Sequence, residues 1–168
     1  MSSKQNLILS EIQVRQIIRR IAFEIYENNF DEKHIVLVGI YDKGYLLADL
    51  MHQELQQIAK GVKTTLVRLD INKDQPLSDE VSLDQDIKVL KNRSVVLVDD
   101  VLNSGRTMAH SMRRLVEVDL KKLETAVLVN RSHKSFPISA KYLGYELSTT
   151  IDEHVDVQLE KNVGVYLH

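Results

Sequence analysis

The chain contains no cysteine. That excludes a disulfide framework, a thiol nucleophile and any cysteine-ligated metal. Proline occurs only twice and glycine six times, so there is no Pro- or Gly-rich linker. No apolar run approaches the length needed to span a bilayer, and the opening residues are too polar for a secretory signal. The formal charge is only −2, which gives no global electrostatic case for nucleic acid. These absences leave a cytoplasmic protein that does not engage a membrane as the expectation. Its 168 residues, 43% hydrophobic and 27% charged, suit one domain spanning 1–168 with a substantial core.

What is present is a regular alternation of patterns. Residues 10–29 carry Ile12, Ile17, Ile18, Ile21, Ala22 and Ile25 at helical spacing, with Ser10 as cap and Gln13 at the capping-box position. HIVLVGI, at 34–40, is a short β-branched run of the kind buried on both faces of a parallel sheet. Residues 44–60 return to helical spacing, with Gly61 as a candidate C-cap. A strand is expected over 63–71, further buried strands over 94–98 and 123–129, and a helix over 106–118. Past Asn130 the chain reads as short strands: ISAKYLGYEL, HVDVQL and VGVYLH. Strands alternating with helices predict an α/β fold, a mostly parallel sheet with helices on both faces. Ligands of such sheets bind outside the carboxyl ends of the strands.

At one such end stands VVLVDDVLNSGRT, residues 95–107. Two adjacent carboxylates, Asp99 and Asp100, close the most apolar run in the chain, although carboxylates resist burial. Asn103, Ser104, Gly105, Arg106 and Thr107 then lead into a helix. Small residues at a helix N-terminus expose N–H groups to an anion, and the helix dipole favours one there. Acids that bind hydroxyls or a divalent cation, set beside a phosphate cradle, suit a sugar phosphate. A P-loop is excluded, because Tyr45 and Leu46 stand where its Lys and Ser/Thr belong. A receiver domain is disfavoured, because the 34–40 strand ends without an acid pair. The six histidines show no metal-ligand spacing. Met108 and Met112 read as core packing, and Arg113, Arg114, Lys121 and Lys122 as a solvated face or a subunit contact.

VVLVDDVLNSGRT resembles the phosphoribosylpyrophosphate (PRPP) motif of type I phosphoribosyltransferases. RIAFEIYENN at 20–29, LVGIYDKG at 37–44, Leu69-Asp70-Ile71 and NRSHKSFPISAKYLGYELSTT at 130–150 are similar to the pyrimidine-operon regulator and uracil phosphoribosyltransferase branch. The resemblance implies a type I phosphoribosyltransferase-like fold, with a parallel sheet, flanking helices and a strand-rich C-terminal hood. It implies conversion of PRPP and a nucleobase, uracil first, to a nucleotide and pyrophosphate, with Mg²⁺ carried mainly by PRPP. Members of that branch can also bind pyrimidine mRNA, and family members form homodimers or higher homo-oligomers. By the same resemblance Asp99 and Asp100 would bind the ribose hydroxyls, and Asn103, Ser104, Gly105, Arg106 and Thr107 the 5-phosphate. Tyr41, Asp42, Lys43 and Gly44 would hold pyrophosphate, residues 72–86 would form a mobile lid, and Arg131, His133, Lys134 and Pro137 would flank the base. The acids would favour an oxocarbenium-like ribose in the transition state, while a closed lid would exclude water.

The sequence departs from that branch at specific places. The lid is short, lacks a Tyr-Arg-Asp-Asp run and has Lys73 as its only basic residue. Asn130 and Ser132 stand where an aspartate and a glycine are usual, and Phe23 stands where RNA-binding members carry histidine. Three functions stay open on these grounds: a uracil enzyme, a PRPP- or nucleotide-sensing regulator with little turnover, and a purine-base enzyme. RNA binding is disfavoured.

Overall fold

A computed structural model describes residues 5–168. The first described element is strand β1 (Asn6–Leu9), which the sequence pattern does not announce. Helix α1 (Glu11–Glu27) follows, and its start is built as the sequence predicts. Ser10 Oγ accepts the Gln13 N–H, and the Gln13 side chain accepts the Ser10 N–H. Then come β2 (His34–Ile40), α2 (Lys43–Ile58), β3 (Lys63–Asp70) and the two-residue β4 (Ser82–Leu83). A 3₁₀ turn (Ile87–Leu90) leads to β5 (Ser94–Leu102), α3 (Arg106–Leu115) and β6 (Lys122–Arg131). The chain ends in β7 (Tyr142–Leu147), β8 (Val155–Gln158) and β9 (Gly164–Leu167).

The main sheet runs in the order β4-β3-β2-β5-β6-β7, and every pair in it is parallel except β3 with β4. β2, β5 and β6 are buried along nearly their whole length, which their unbroken apolar runs require. Alternate residues feed two cores. Ile35, Leu37, Val96, Val98, Ala126 and Leu128 meet α1 and α2. Val36, Val38, Val95, Leu97 and Val127 meet Met108 and Leu115 of α3.

The hood differs from expectation. It is a three-stranded antiparallel sheet in the order β1-β9-β8, so its outer strand comes from the N-terminal end of the chain. β7, which the sequence assigns to neither sheet, extends the main sheet beside β6. Element ends shift as well. The α2 helix closes at Ala59, whose N–H donates to the Leu55 carbonyl; Gly61 stands in open space and is not the cap. The α3 helix stops at Leu115, three residues short of the expected end, and the Val116 N–H donates its last i→i−4 bond, to the Met112 carbonyl. β5 runs on to Leu102 through ladder pairs with β6, so the two aspartates lie within the strand rather than past it.

At the opposite end of the sheet a buried polar network joins β5, β6 and β7 to the turn after α1. Ser94 Oγ donates to Asn29 Oδ1 at 2.6 Å, and Asn29 Nδ2 donates to Glu124 Oε1 at 3.0 Å. The Tyr142 hydroxyl donates to Glu124 Oε2 at 2.9 Å, and Lys141 completes the network as an ion pair. Those partners outweigh the burial of Glu124 and hold its carboxyl below the usual range. Among the described residues no helix is long and apolar enough to cross a membrane.

Candidate functional site

The loops after β2, β3, β5 and β6 gather at the carboxyl edge of the sheet. The loop after β2 holds Tyr41, Asp42, Lys43 and Gly44, with a cis Tyr41–Asp42 peptide. Tyr41 N–H donates to the Leu69 carbonyl at 2.9 Å, and the Arg68 guanidinium lies 5.2 Å from the centre of the Tyr41 ring. Gly44 is buried against β5. A β-carbon there would lie 2.8 Å from Asp99 Oδ1 and 2.8 Å from the Val98 carbonyl oxygen, so only glycine permits this approach. Lys43 does not face the acids. Its ammonium pairs with Asp156 Oδ1 of β8 at 2.6 Å.

Asp99 and Asp100 are both buried. Asp99 Oδ1 accepts the Asp100 N–H at 2.9 Å and the Lys73 ammonium at 3.4 Å. Burial, and then the neighbouring Asp100, push the Asp99 carboxyl well above its usual range, while Lys73 pulls the other way. Among the described residues no cluster of three or more His, Cys, Asp or Glu could hold a metal by itself. Mg²⁺ commonly takes one or two carboxylates and completes its shell with substrate oxygens and water. The pair fits that donor set, with a phosphorylated ligand supplying the rest.

The turn follows directly. Asn103, Ser104, Gly105, Arg106 and Thr107 line a cavity of about 40 Å³ together with Asp99. Gly105 has φ +86°, and a β-carbon on it would crowd Ile138 at 3.1 Å, so the sharp entry into α3 requires glycine. Ser104 Oγ accepts the Arg106 N–H at 3.2 Å. The Ser104 carbonyl accepts the N–H groups of Ser135 and Phe136, so the segment after β6 braces the turn. The N–H groups of a first helical turn have no carbonyl partners within the helix and can donate to an anion.

The four residues expected to flank a base behave differently from one another. The Arg131 guanidinium is buried and donates to Thr149 Oγ1 at 2.9 Å and to the Glu153 and Thr150 carbonyls at 2.6 and 3.3 Å. It shapes the loop after β7. His133 Nε2 lies 2.7 Å from the Thr149 carbonyl, which can only accept, so the proton sits on Nε2. Lys134 donates to carbonyls at the end of β5, including that of Asn103 at 3.1 Å, and burial lowers its pKa. Pro137 is not at this edge: it lines a separate cavity with Met112, Leu123 and Lys141.

Arg131 and His133 share a cavity of about 410 Å³ with Asn103, Ser104, Ile151 and His154. Sequence reasoning missed Ile151 and His154. Their one signal was position, in the polar stretch between two strands near the carboxyl end of the sheet. It also missed the contact of Lys73 with Asp99. The loop expected to form a lid is shorter than read. Val81 is buried, β4 pairs with β3, and Asp84 Oδ1 accepts the Arg68 N–H, so 81–86 are anchored and only 72–80 form the loop.

The phosphoribosyl transferase domain family matches residues 5–162. The chain is 36% identical over 170 residues to the bifunctional protein PyrR of Bacillus subtilis, covering 95% of this chain and 92% of that protein. It is 34% identical over 160 residues to the pyrimidine operon regulatory protein of Lactococcus lactis subsp. lactis, covering 94% and 91% respectively. Among solved structures, the hypoxanthine-guanine phosphoribosyltransferase of Bacillus anthracis has TM-score 0.73 at 19% identity, over 89% of this chain and 86% of that one. The hypoxanthine phosphoribosyltransferase of Trypanosoma cruzi has TM-score 0.75 at 15% identity, over 89% and 84%. At such identities the likeness speaks for the fold alone. An acid pair inside a parallel strand, a glycine-tight turn behind it and these relatives agree: the chain belongs to the phosphoribosyltransferase family, with a type I fold and pyrimidine-operon regulators among its relatives.

Proposed function

We propose that the protein binds PRPP with Mg²⁺ and transfers its phosphoribosyl group to a nucleobase, uracil first among the acceptors. At ribose C1 the bond to a pyrophosphate oxygen breaks and a bond to a base nitrogen forms, with the proton of that nitrogen released. The observation that carries this reading is the buried Asp99–Asp100 pair set against Gly44 on one side and the Asn103–Thr107 turn on the other. The turn would hold the 5-phosphate, the acids the ribose hydroxyls, and the cavity of Arg131, His133, Ile151 and His154 the base. Carboxylates below the ribose favour positive charge at C1, and Mg²⁺ would stabilise pyrophosphate as it leaves. The names of the relatives, which specify pyrimidine regulation, favour uracil over a purine.

A second reading has its own support. Lys43 is paired with Asp156, Lys73 with Asp99, and Lys134 and Arg131 are committed to neighbouring oxygens. A site with so few free cations suits a PRPP or nucleotide sensor with slow turnover. Messenger RNA binding is disfavoured by the net charge of −2 and by Phe23, a half-exposed aromatic on α1. A cytoplasmic, homo-oligomeric protein of one domain completes the proposal.

The deciding experiment offers uracil, hypoxanthine, guanine, xanthine and orotate with PRPP and Mg²⁺ and scores pyrophosphate release. Turnover with uracil supports the enzyme. PRPP binding without release from any base supports the sensor, and the absence of PRPP binding defeats both.

A further inference from the structure

One charge ties the loop of residues 72–80 to the acid pair. Lys73 is the only basic residue between 72 and 86, against five acids: Asp74, Asp79, Glu80, Asp84 and Asp86. Its ammonium lies 3.4 Å from Asp99 Oδ1, and the Asp99 side chain is 5% exposed while that of Lys73 is 41% exposed. The loop is folded upon itself rather than extended. Asn72 Oδ1 accepts the N–H groups of Asp74 and Gln75, Ser78 N–H donates to the Gln75 carbonyl, and Pro76 is buried.

Withdrawing Lys73 would leave the buried Asp99–Asp100 pair without its cation, which is costly whenever both carboxyls are ionised. A bare polyanion entering the site cannot make good that loss and would also meet the acids of the loop. A ligand carrying a divalent cation can. We propose that Lys73 is a built-in counter-cation for the acid pair, which pins the loop in the free protein and yields only to PRPP loaded with metal. The inference rests on the PRPP reading above. It makes Lys73 a positioning residue that selects the charge state of the ligand.

Two measurements on the full chain test it. In the first, hydrogen exchange of peptides covering 72–80 is followed without ligand in the wild type, Lys73→Met and Lys73→Arg. Lys73→Met is expected to exchange about fivefold faster, with Lys73→Arg close to the wild type. In the second, PRPP is titrated calorimetrically with and without MgCl₂. The wild type is expected to bind PRPP only with Mg²⁺. Lys73→Met should lower the half-saturating Mg²⁺ by about threefold or more, because the internal competitor is gone. Unchanged exchange in Lys73→Met overturns the pin, and equal wild-type affinity for PRPP with and without Mg²⁺ overturns the selection. A wild type that binds no PRPP in any buffer sinks the PRPP reading and the selection with it, while the ligand-free exchange still decides the pin.

Discussion

Gly44 and Asp99 touch across two elements: a β-carbon at Gly44 would stand 2.8 Å from Asp99 Oδ1. The other neighbour at that distance is a backbone oxygen, on Val98, which cannot swing aside. Gly44→Ala should therefore cost about 1–3 kcal/mol in thermal or denaturant unfolding and weaken PRPP binding. Gly61→Ala is the control. Its position is open, so it should be neutral or stabilise by up to about 1 kcal/mol.

Asp99 should weaken the fold at neutral pH. Its carboxyl binds a proton more tightly folded than unfolded, because burial and Asp100 oppose its charge. Stability from this group is present at low pH and lost as pH climbs from about 4, the unfolded carboxyl range, through its folded pKa. Asp99→Asn should raise the melting temperature at pH 7, flatten that slope and abolish PRPP binding. Unfolding curves across pH, paired with calorimetry, check both halves. A variant equally crippled in folding and in binding would mark the acid as structural.

The Lys43–Asp156 pair behaves in the opposite sense. Lys43 holds the Asp156 carboxyl below its usual range, so the contribution is present above about pH 4 and lost as pH falls through the lowered pKa. Both side chains are partly exposed, which limits the pair to about 1 kcal/mol or less. Asp156→Asn should barely move stability while releasing Lys43 toward an anion. The PRPP dissociation constant should fall, and an unchanged value would show that Lys43 does not reach the ligand.

Arg131→Met removes a buried donor from Thr149, Thr150 and Glu153 and should cost about 1–3 kcal/mol. The loop it shapes carries Ile151, on the wall of the larger cavity. The KM for the base should rise more than the KM for PRPP. Steady-state kinetics with each substrate varied in turn separates the two.

Much of this molecule is readable from periodicity. HIVLVGI and SVVLV declare strands buried on both faces, and Ser10 with Gln13 announces the first helix. The acid pair and its turn are local in sequence, so their chemistry is legible as well. Hidden from the sequence are relations between distant segments. Four residues at the N-terminal end gain strand character only by pairing with β9, and YLGYEL reads alike as a hood strand or a sheet strand until β6 lies beside it. Lys43 reads as a pyrophosphate ligand until Asp156, 113 residues away, takes its ammonium. Arg131 reads as a base contact until the carbonyls of a later loop claim it.

The Ser94–Asn29–Glu124–Tyr142 network lies at the far end of the sheet from the acid pair, yet it gauges the site. Ser94 and Asp99 share β5, five residues and about 16 Å apart. Were β6 to slip by one residue against β5, Glu124 would turn to the other face and lose Asn29, and with it the bond network that reaches Ser94. The network thus opposes that slip at the floor of the sheet and supports the register that sets Asp99 opposite Val127 at its rim. Lesions at Asn29 or Glu124 should then look like active-site defects, because the network serves as the ruler by which the acids are placed.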